Sequence, residues 1–548
     1  MNSKPPEKTG RPRAQLAAGT LVAAVVFVLY LHTLAPGVMY YARPDLLDAA
    51  TLQVHAATLG ITHPTGYPTW TLITHLFTYL PAGDPAYRTN LSSAVYSAGA
   101  VSFVYAAGLA LSKRMVAAAV GALAFGLGAT FWSQALIAEI YNLNALFVAL
   151  FFTLLLAARE RLSEDRKAGG YLLAAAFVGG LSLTNHMTSA AALLGGAAFI
   201  KLTGLQSIVD KRLALRATFL FALGLLPYLY LPARAAMGAP LQEADPDSMG
   251  GFIRHVSGTE VSGVLLGKEI GELPSRTALY AGSVVSEFGW PLLALAALGF
   301  FHLIFRDRAA VALLGIPLAI WTIYNLLYDI PDLTLYFIPT YLVAALCVSA
   351  GAGALLGAFE SRLSGASRPD QLAGYGRAGT AAMLCVSAAL ALLPFTELPE
   401  TYAEVDRSED RRGREIIETV AAETEPGAAV LHNRSSLWYM VLVEQRRQDL
   451  TLLDPFKPED ISSHDLVWPG HLNPEQAAAR YSTGDNTGVE AARRAAQEGP
   501  VYILAQESAD ASAFLEAGFE IVPVEEGVLY RLEPPGREDA AQRAMVRR

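Results

Sequence analysis

The chain has 548 residues, of which 53% are hydrophobic and only 17% are charged. About a quarter of the residues of a soluble domain usually carry charge, so this composition excludes a wholly soluble protein and points to the lipid bilayer as a partner. The net charge is −9, and the acidic C-terminal part has no basic stripe, which excludes a nucleic-acid-binding protein.

Apolar runs of membrane-spanning length recur along the first 396 residues. A transmembrane helix needs about 20 mostly apolar residues. Eleven runs approach that length: 16–37, 90–112, 115–131, 137–157, 170–184, 187–203, 213–233, 286–305, 309–327, 334–357 and 377–396. The stretch 69–81 is too short to span easily and is predicted to lie at the membrane interface. We therefore predict an α-helical polytopic membrane protein with about eleven transmembrane helices.

Lysine and arginine are concentrated in every second loop between these runs. Four basic residues precede the first run, and the later basic loops contain Lys113, Arg114, Arg159, Arg161, Arg166, Lys167, Lys201, Lys211, Arg212, Arg306, Arg308, Arg362, Arg368 and Arg377. Such loops face the cytoplasm, so the N-terminus is predicted to be cytoplasmic and the C-terminal part extracytoplasmic. No small-residue cleavage site follows the first run, which is predicted to be a retained anchor.

This topology gathers polar residues on the outer side of the membrane. The first outer loop, residues 38–89, holds Asp45, Asp48, His55, His63 and Tyr67. The outer ends of the later spans add Glu139, Tyr141, Asn185, His186, Arg234, Asp332 and Tyr336. Ionisable groups at membrane depth cost about 2.5–3.5 kcal/mol, so they tend to pair or to line a cavity. We predict a polar site that opens outward.

The first outer loop is predicted to form a helix followed by a rigid turn. Pro44 suits a first helical turn and Gly60 a helix end, which predicts one helix of about fifteen residues. Asp45 and Asp48 would share a face near its start. The turn HPTGYP, residues 63–68, is stiff because both prolines fix φ. An ordinary aspartate is ionised at neutral pH and can accept a proton.

Five segments in chain order resemble a known family. They are Asp48 followed fifteen residues later by HPTGYP, AEIYNLNALF (138–147), GLSLTNHMTS (180–189), YLPARA (230–235) and DIPDLTLYFIPTYL (329–342). Together they resemble a family of multispanning membrane proteins that includes an animal O-mannosyltransferase acting on plexin-type domains and many bacterial members. The resemblance covers residues 15–345 and suggests the plasma (inner) membrane of a bacterium.

The resemblance implies a GT-C type glycosyltransferase, which takes a sugar from a polyprenyl-phosphate carrier on the outer face of the membrane. In that class an aspartate of the first outer loop acts as the base. Its spacing to the HPTGYP turn matches Asp48, not Asp45. The family usually has glutamate where this chain has Thr51, and Asp45, one turn earlier, is a candidate replacement for the missing carboxylate.

The remaining candidates suit the donor or the acceptor. Arg234 suits the donor phosphate, because a guanidinium binds phosphate oxygens in a fork geometry. The other donor- and acceptor-binding candidates are His63, Tyr67, Glu139, Tyr141, Asn185, His186, Asp332 and Tyr336. Among them, Glu139 would orient an acceptor or bind a metal. No ligand spacing demands a metal, so no cofactor is assigned and a divalent metal is left open.

The composition changes after residue 396, where charge and proline rise and long apolar runs stop. Alternating helix and strand patterns predict a small soluble α/β domain over 397–548, beside a membrane domain over 1–396. No glycine-rich phosphate loop is present, which argues against nucleotide binding. The domain would either recognise the acceptor or cap the membrane part.

The leading interpretation is a membrane glycosyltransferase that moves a sugar, with inversion, from a polyprenyl-phosphate donor to a protein or envelope-glycan acceptor. Two alternatives stay open: a transporter or flippase for a lipid-linked or small polar substrate, and a non-catalytic envelope scaffold. A transporter is disfavoured because the acids collect in an outer loop rather than at the midplane. A two-carboxylate glycosidase is disfavoured because hydrolysis of a soluble glycan does not need eleven spans.

Overall fold

The structure is a computed structural model. It describes residues 11–40, 48–244, 246–259, 270–330, 332–363, 377–454, 466–468, 488–505 and 508–535. The candidate Asp45 lies outside the described residues.

Apolar helices dominate the described residues up to Val405. Eight of these helices are long and apolar enough to cross a membrane, and Met115–Gly126, Gly169–Leu183 and Met187–Leu202 are shorter apolar helices. The helices of this part are α1 (Arg11–Thr33), α2 (Ala49–Thr58), α3 (Pro68–Phe77), α4 (Pro85–Ser112), α5 (Met115–Gly126), α6 (Ala129–Gln134), α7 (Tyr141–Ser163), α8 (Gly169–Leu183), α9 (Ala190–Leu202), α10 (Lys211–Gly224), α11 (Tyr230–Ala236), α12 (Met249–Ser257), α13 (Leu273–Arg306), α14 (Arg308–Leu327), α15 (Ile338–Leu363), α16 (Arg377–Leu392) and α17 (Leu398–Val405). Every predicted apolar run coincides with one of them, so the polytopic helical fold is confirmed.

Glycines let two of the longest membrane helices approach closely. Helices α13 and α15 cross where Gly299 faces the backbone of Cys347 and Gly351 faces the backbone of Leu295, and neither glycine has room for a Cβ. Small residues are typical of such crossings, because close van der Waals packing joins helices in lipid. Helix α13 begins at Leu273, well before the run predicted to begin at residue 286, and it bends at Gly289 (φ 64°, ψ 162°).

The first outer loop contains two short helices joined by the HPTGYP turn. Helix α2 begins directly after Asp48 and ends at Thr58, where Leu59 adopts a left-handed conformation (φ 56°). The predicted fifteen-residue helix ending at Gly60 is therefore too long at this end, because Leu59 itself terminates it. Helix α3 falls on the stretch that the sequence assigned to the interface, and its Leu76 is exposed.

The C-terminal part forms a six-stranded mixed sheet with flanking helices, which confirms the small α/β region. The elements are α18 (Arg412–Glu423), β1 (Ala429–Leu431), α19 (Leu437–Leu442), β2 (Thr451–Asp454), β3 (Leu466–Trp468), α20 (Gly488–Ala495), β4 (Val501–Leu504), α21 (Ser508–Glu516), β5 (Glu520–Glu525) and β6 (Leu529–Glu533). The strand order is β3-β2-β1-β4-β6-β5. Strand β1 is parallel to β2 and β4, whereas the outer strands pair antiparallel.

The C-terminal domain packs directly against the first outer loop. Apolar residues of both parts share one buried cluster, which includes Val38, Val54, Ala86, Leu241, Leu437, Trp438 and Tyr439. The hydroxyl of Tyr439 accepts a hydrogen bond from the backbone nitrogen of Ala86 at 3.2 Å. The hydroxyl of Tyr40 donates to the carbonyl of Ala505 at 2.9 Å. The loop and the sheet are thus held in a defined relation.

Gly413 of α18 provides a test of this docking. A Cβ on Gly413 would lie 2.8 Å from the carbonyl carbon of Met39 and would also meet the carbonyl oxygen of Val38. Because backbone atoms yield less readily than side chains, we expect Gly413→Ala to lower the free energy of unfolding by about 1–3 kcal/mol. The matched control is Gly499→Ala, whose Cβ would meet only the carbonyl of Gly427 at 3.8 Å. Equal melting temperatures of the two variants in detergent would contradict the close docking.

Candidate functional site

A buried ion-pair network joins the start of α2 to the C-terminal domain. Nη2 of Arg434 lies 3.0 Å from Oδ1 of Asp48 and 2.8 Å from Oε2 of Glu243. The side chains of Arg434, Asp48 and Glu243 are 13%, 18% and 5% exposed. A charge this buried is costly unless it is paired, so the guanidinium fixes the two carboxylates beside each other.

Two histidines complete the network. Nε2 of His55 lies 2.6 Å from Oε1 of Glu243, and Nε2 of His63 lies 3.5 Å from Oδ2 of Asp48. Burial acts to raise the pKa of Glu243, but Arg434 and His55 outweigh it and hold that pKa below its ordinary value. Burial lowers the pKa of His63, although Asp48 acts against this shift. His63 is therefore an uncharged ring at neutral pH, next to a carboxylate.

Thr51, the departure from the family pattern, belongs to the same network. Its hydroxyl donates to the backbone carbonyl of Asp48 at 3.1 Å and accepts a hydrogen bond from Nη2 of Arg434 at 3.2 Å. A second carboxylate does reach this guanidinium, but it belongs to Glu243, in the loop before α12. The network thus contains two carboxylates, from Asp48 and Glu243, although position 51 carries a threonine instead of a glutamate.

The HPTGYP turn orients His63 and Tyr67. Gly66 has a φ of +94°, and a Cβ there would lie 2.7 Å from Nε2 of His255, so only glycine fits without strain. The hydroxyl of Tyr67 lies 3.3 Å from Nε2 of His63 and donates to the carbonyl of Pro64 at 3.2 Å. The turn therefore links Asp48, through His63, to the ring of Tyr67.

Four rings from distant parts of the chain meet next to this turn; we call Tyr67, Tyr141, His186 and Tyr336 the aromatic cluster. Tyr67 stacks on His186 with centroids 6.0 Å apart, and Tyr141 and Tyr336 each pack against His186 at 5.8 Å. Burial lowers the pKa of His186 to about 4, so its ring is neutral. Its Nδ1 lies 2.7 Å from the hydroxyl of Thr188, whereas its Nε2 has no hydrogen-bond partner among the described residues.

Asp332 adjoins the aromatic cluster. The hydroxyl of Tyr141 donates to Oδ2 of Asp332 at 3.2 Å, and Oδ1 has no hydrogen-bond partner within the described ranges. Burial, and then the charge of Asp48, raises the pKa of Asp332 to about 7. A buried carboxylate that keeps one oxygen unbonded is suited to holding a ligand.

Two cavities lie next to the HPTGYP turn and the loop around Asp332. The aromatic cavity, about 260 Å³, is lined by Tyr67, His186, Tyr336 and further aromatic residues of α14 and the loop after it. The hydroxyl-lined cavity, about 590 Å³, is lined by Asp332 and by serines, threonines and acids of α6, α13 and α17. Because Tyr141 bonds Asp332 and packs on Tyr336, the two cavities are neighbours.

For three predicted site residues, the structure shows contacts outside the ion-pair network and the aromatic cluster. Glu139 is buried, and its backbone carbonyl accepts from the indole of Trp70 at 3.0 Å. The amide of Asn185 donates to the carbonyl of Ile140 at 3.4 Å. Arg234 donates to the carbonyls of Leu59 and Thr58 at 2.8 and 3.4 Å, at the far end of α2. A ten-residue helix is about 15 Å long, so the structure does not bring Arg234 to Asp48.

Sequence reasoning missed Arg434 and Glu243, and gave His55 no role. Arg434 follows strand β1, which is parallel to both of its neighbours. Ligand sites of parallel sheets lie beyond the carboxyl ends of the strands, and this rule was the signal available in the sequence. Within the ranges described above, no group of three or more histidine, cysteine, aspartate or glutamate side chains is arranged to hold a metal ion.

Comparison with known sequences supports the resemblance drawn from the motifs. Residues 48–203 match the family described as "Protein O-mannosyl-transferase TMEM260 N-terminal domain". Mouse "Protein O-mannosyl-transferase TMEM260" is 30% identical over 328 residues, which are 59% of this chain and 45% of the mouse protein. The resemblance to this family is confirmed. The chain spans less than half the length of the mouse relative.

Comparison with solved structures shows the fold. ArnT from Cupriavidus metallidurans, bound to undecaprenyl phosphate, superposes with a TM-score of 0.56 at 13% identity, over 93% of this chain and 97% of ArnT. The Archaeoglobus fulgidus oligosaccharyltransferase tethered to an acceptor peptide superposes with a TM-score of 0.52 at 12% identity, over 97% of this chain and 75% of that one. The chain has the GT-C fold.

The buried carboxyl of Asp332 makes stability depend on pH. Its pKa of about 7 lies above the ordinary value of 3.8, so between these values the folded state binds a proton that the unfolded state releases. Stability therefore falls as pH rises through this range. We expect Asp332→Asn to remove this penalty, which is at most about 4 kcal/mol, and to raise the melting temperature more at pH 8 than at pH 5. The exposed Asp247→Asn should shift it equally little at both; a pH-independent effect of Asp332→Asn would contradict the assignment.

Proposed function

We propose that this protein is a membrane glycosyltransferase that moves a sugar from a polyprenyl-phosphate donor to a hydroxyl of a protein on the outer face of the membrane. One observation carries the proposal. Asp48 lies beside His63, His63 contacts the hydroxyl of Tyr67, and Tyr67 lines a cavity between membrane helices. The names of the relatives favour mannose as the sugar, and a protein rather than an envelope glycan as the acceptor.

The aromatic cavity suits a lipid-linked sugar. Tyrosine rings offer apolar faces to the C–H groups of a sugar, and the unpartnered Nε2 of His186 is available for one hydroxyl or phosphate oxygen. Met187 and Ile320 line the cavity and are 39% and 37% exposed, on helical segments long or apolar enough to contact lipid. The isoprenoid tail would leave the cavity along this edge.

Asp48 would act as the general base. The acceptor oxygen attacks the anomeric carbon and forms the new C–O bond, while its proton passes to the carboxylate of Asp48. The bond between the anomeric carbon and the phosphate oxygen breaks, and the polyprenyl phosphate leaves with the electron pair. This single displacement inverts the anomeric centre. His63, 3.5 Å from Asp48, would hydrogen-bond the departing phosphate.

Arg434 would position Asp48 and balance its charge. Asp48, Glu243 and Arg434 carry a formal charge of −1 together, and removal of the guanidinium would leave −2. Two uncompensated carboxylates would repel an anionic donor. Because Arg434 belongs to the C-terminal domain, that domain would complete the active site rather than only cap it.

The proposed orientation places the N-terminus in the cytoplasm and the C-terminal domain outside the plasma (inner) membrane of a bacterium. Its support is the position of the basic loops at the helix ends remote from Asp48. There Arg114 pairs with Glu360, and Arg159 pairs with Asp307. Arginine and lysine concentrate on the cytoplasmic side of membrane proteins.

Replacement of the base tests the mechanism. Purified protein is incubated with polyprenyl-phosphate mannose and a threonine-containing peptide. We expect Asp48→Asn to lower kcat by about 10²–10⁴-fold, as for other general bases, and Asp247→Asn to leave it unchanged. Equal turnover of wild type and Asp48→Asn would remove Asp48 as the base. Wild-type protein that moves the donor across liposomes without transfer would be a flippase, and one that does neither would be a scaffold.

Replacement of Arg434 tests the role of the C-terminal domain. We expect Arg434→Gln to raise KM for the donor and to lower kcat at least tenfold, since donor repulsion and base position both change. Arg434→Lys should restore part of the donor affinity. Arg446→Gln is the control, because Arg446 pairs with Glu418 on the surface of the same domain. A change in thermal stability alone, with unchanged KM and kcat, would show that Arg434 is only structural.

A further inference from the structure

The hydroxyl-lined cavity is large and has no role in the proposal above. Its volume of about 590 Å³ lies within the range of ligand-binding pockets, about 300–1,000 Å³. Its walls are the outer half of α13, the start of α6, the loop around Asp332 and the end of α17. It therefore lies between the membrane helices and the entry to the C-terminal domain.

The lining of this cavity disfavours an anionic ligand. Its hydroxyl groups belong to Thr130, Ser133, Ser283, Ser286 and Thr334. Its ionisable side chains are Asp332, Glu287, Glu404 and Arg407, so carboxyl groups outnumber guanidinium groups among the described lining residues. Like charges repel a phosphate in a partly desolvated site, whereas hydroxyls and carboxylates accept hydrogen bonds from hydroxyl, amide or ammonium groups. The donor phosphate thus fits poorly here.

The carboxylates of this cavity differ in what they already bind. Oε2 of Glu287 accepts from the backbone nitrogen of Thr130 at 3.1 Å, so Glu287 is part of the wall. Glu404 is exposed at the cavity. Asp332 is 7% exposed and keeps Oδ1 without a hydrogen-bond partner among the described residues, while Oδ2 is held by Tyr141. Asp332 therefore lies in the wall of this cavity with one carboxyl oxygen unpartnered, and its other oxygen is anchored on the side of the aromatic cluster.

We infer that the hydroxyl-lined cavity binds the acceptor, as an uncharged or basic peptide segment that carries the reacting hydroxyl, and that Asp332 receives a hydrogen bond from it. The inference rests on the proposed function. The two substrates then approach from two neighbouring cavities, the lipid-linked sugar from the aromatic one and the peptide from the hydroxyl-lined one. Asp48 is joined to the aromatic cavity through His63, 3.5 Å away, and Tyr67, whose hydroxyl lies 3.3 Å from His63.

A bulky residue in the cavity wall tests the inference. Ser283 lines the cavity, and Ala281 lies on the opposite, exposed face of the same helix. The probes are polyprenyl-phosphate mannose and a decapeptide with a central threonine and lysine flanks. We expect Ser283→Trp to lower transfer to the peptide at least tenfold, to leave hydrolysis of the donor by water within twofold, and to weaken binding of the fluorescently labelled peptide. Ala281→Trp should match wild type in all three measurements.

A charge reversal at an exposed position provides a second test that avoids misfolding. Glu404→Lys should raise KM for the lysine-flanked peptide at least threefold and lower it for a glutamate-flanked peptide. Glu400→Lys, exposed on the same helix outside the cavity, should change neither.

The outcomes separate this inference from the proposed function. Normal peptide binding and transfer by Ser283→Trp, with wild-type donor hydrolysis, would overturn the assignment of the cavity alone. Equal loss of hydrolysis and transfer would make this cavity the donor site and overturn it too. If wild type neither hydrolyses nor transfers, the proposed function fails, and labelled-peptide binding that is lost in Ser283→Trp but kept in Ala281→Trp would still support a peptide site.

Discussion

The contact of Arg434 with Asp48 and Glu243 is the constraint on which the site depends. Three charged side chains are almost withdrawn from water, and each is tolerated only because the others are present. The guanidinium comes from the C-terminal domain, and the carboxylates come from two loops of the membrane domain. Docking of the two parts therefore determines both the position and the charge of the proposed base, which explains why a shared apolar cluster surrounds the network.

Two cavities of opposite chemistry lie beside this network. The aromatic cavity is bounded by rings and by apolar side chains at the edge of the membrane helices. The hydroxyl-lined cavity is bounded by alcohols and acids near the C-terminal domain. A lipid-linked sugar phosphate and a peptide hydroxyl differ in the same way, in apolar surface and in charge. Tyr141 donates a hydrogen bond to Asp332, which lines one cavity, and packs on Tyr336, which lines the other.

Much of this arrangement was predictable because a bilayer limits the choices of a chain. Runs of apolar residues must span it as helices, and the bias of arginine and lysine predicts which loops share a side. The convergence of His63, Tyr67, Tyr141, His186, Asp332 and Tyr336 follows from that topology, since it predicts that all of them lie on one side of the membrane. Arg234 is predicted on the same side of the membrane, yet it binds the carbonyl of Leu59 rather than joining the site. Hydropathy predicts that a helix spans the bilayer, but it does not predict which helices are its neighbours in the bundle.

The sequence by itself determined the helical membrane class, the α/β character of the C-terminal part and the rigid turn. Local signals suffice for these three, since periodicity and proline act over a few residues. The family resemblance, not a local signal, implied Asp48 as the candidate base. Only the tertiary structure decided that Arg434 and Glu243 flank Asp48, 386 and 195 positions along the chain from it. It also decided that Thr51 binds the guanidinium while Glu243 supplies the second carboxylate. These residues become partners of Asp48 only once the chain has packed, because packing brings distant segments together. No local sequence pattern predicts that proximity.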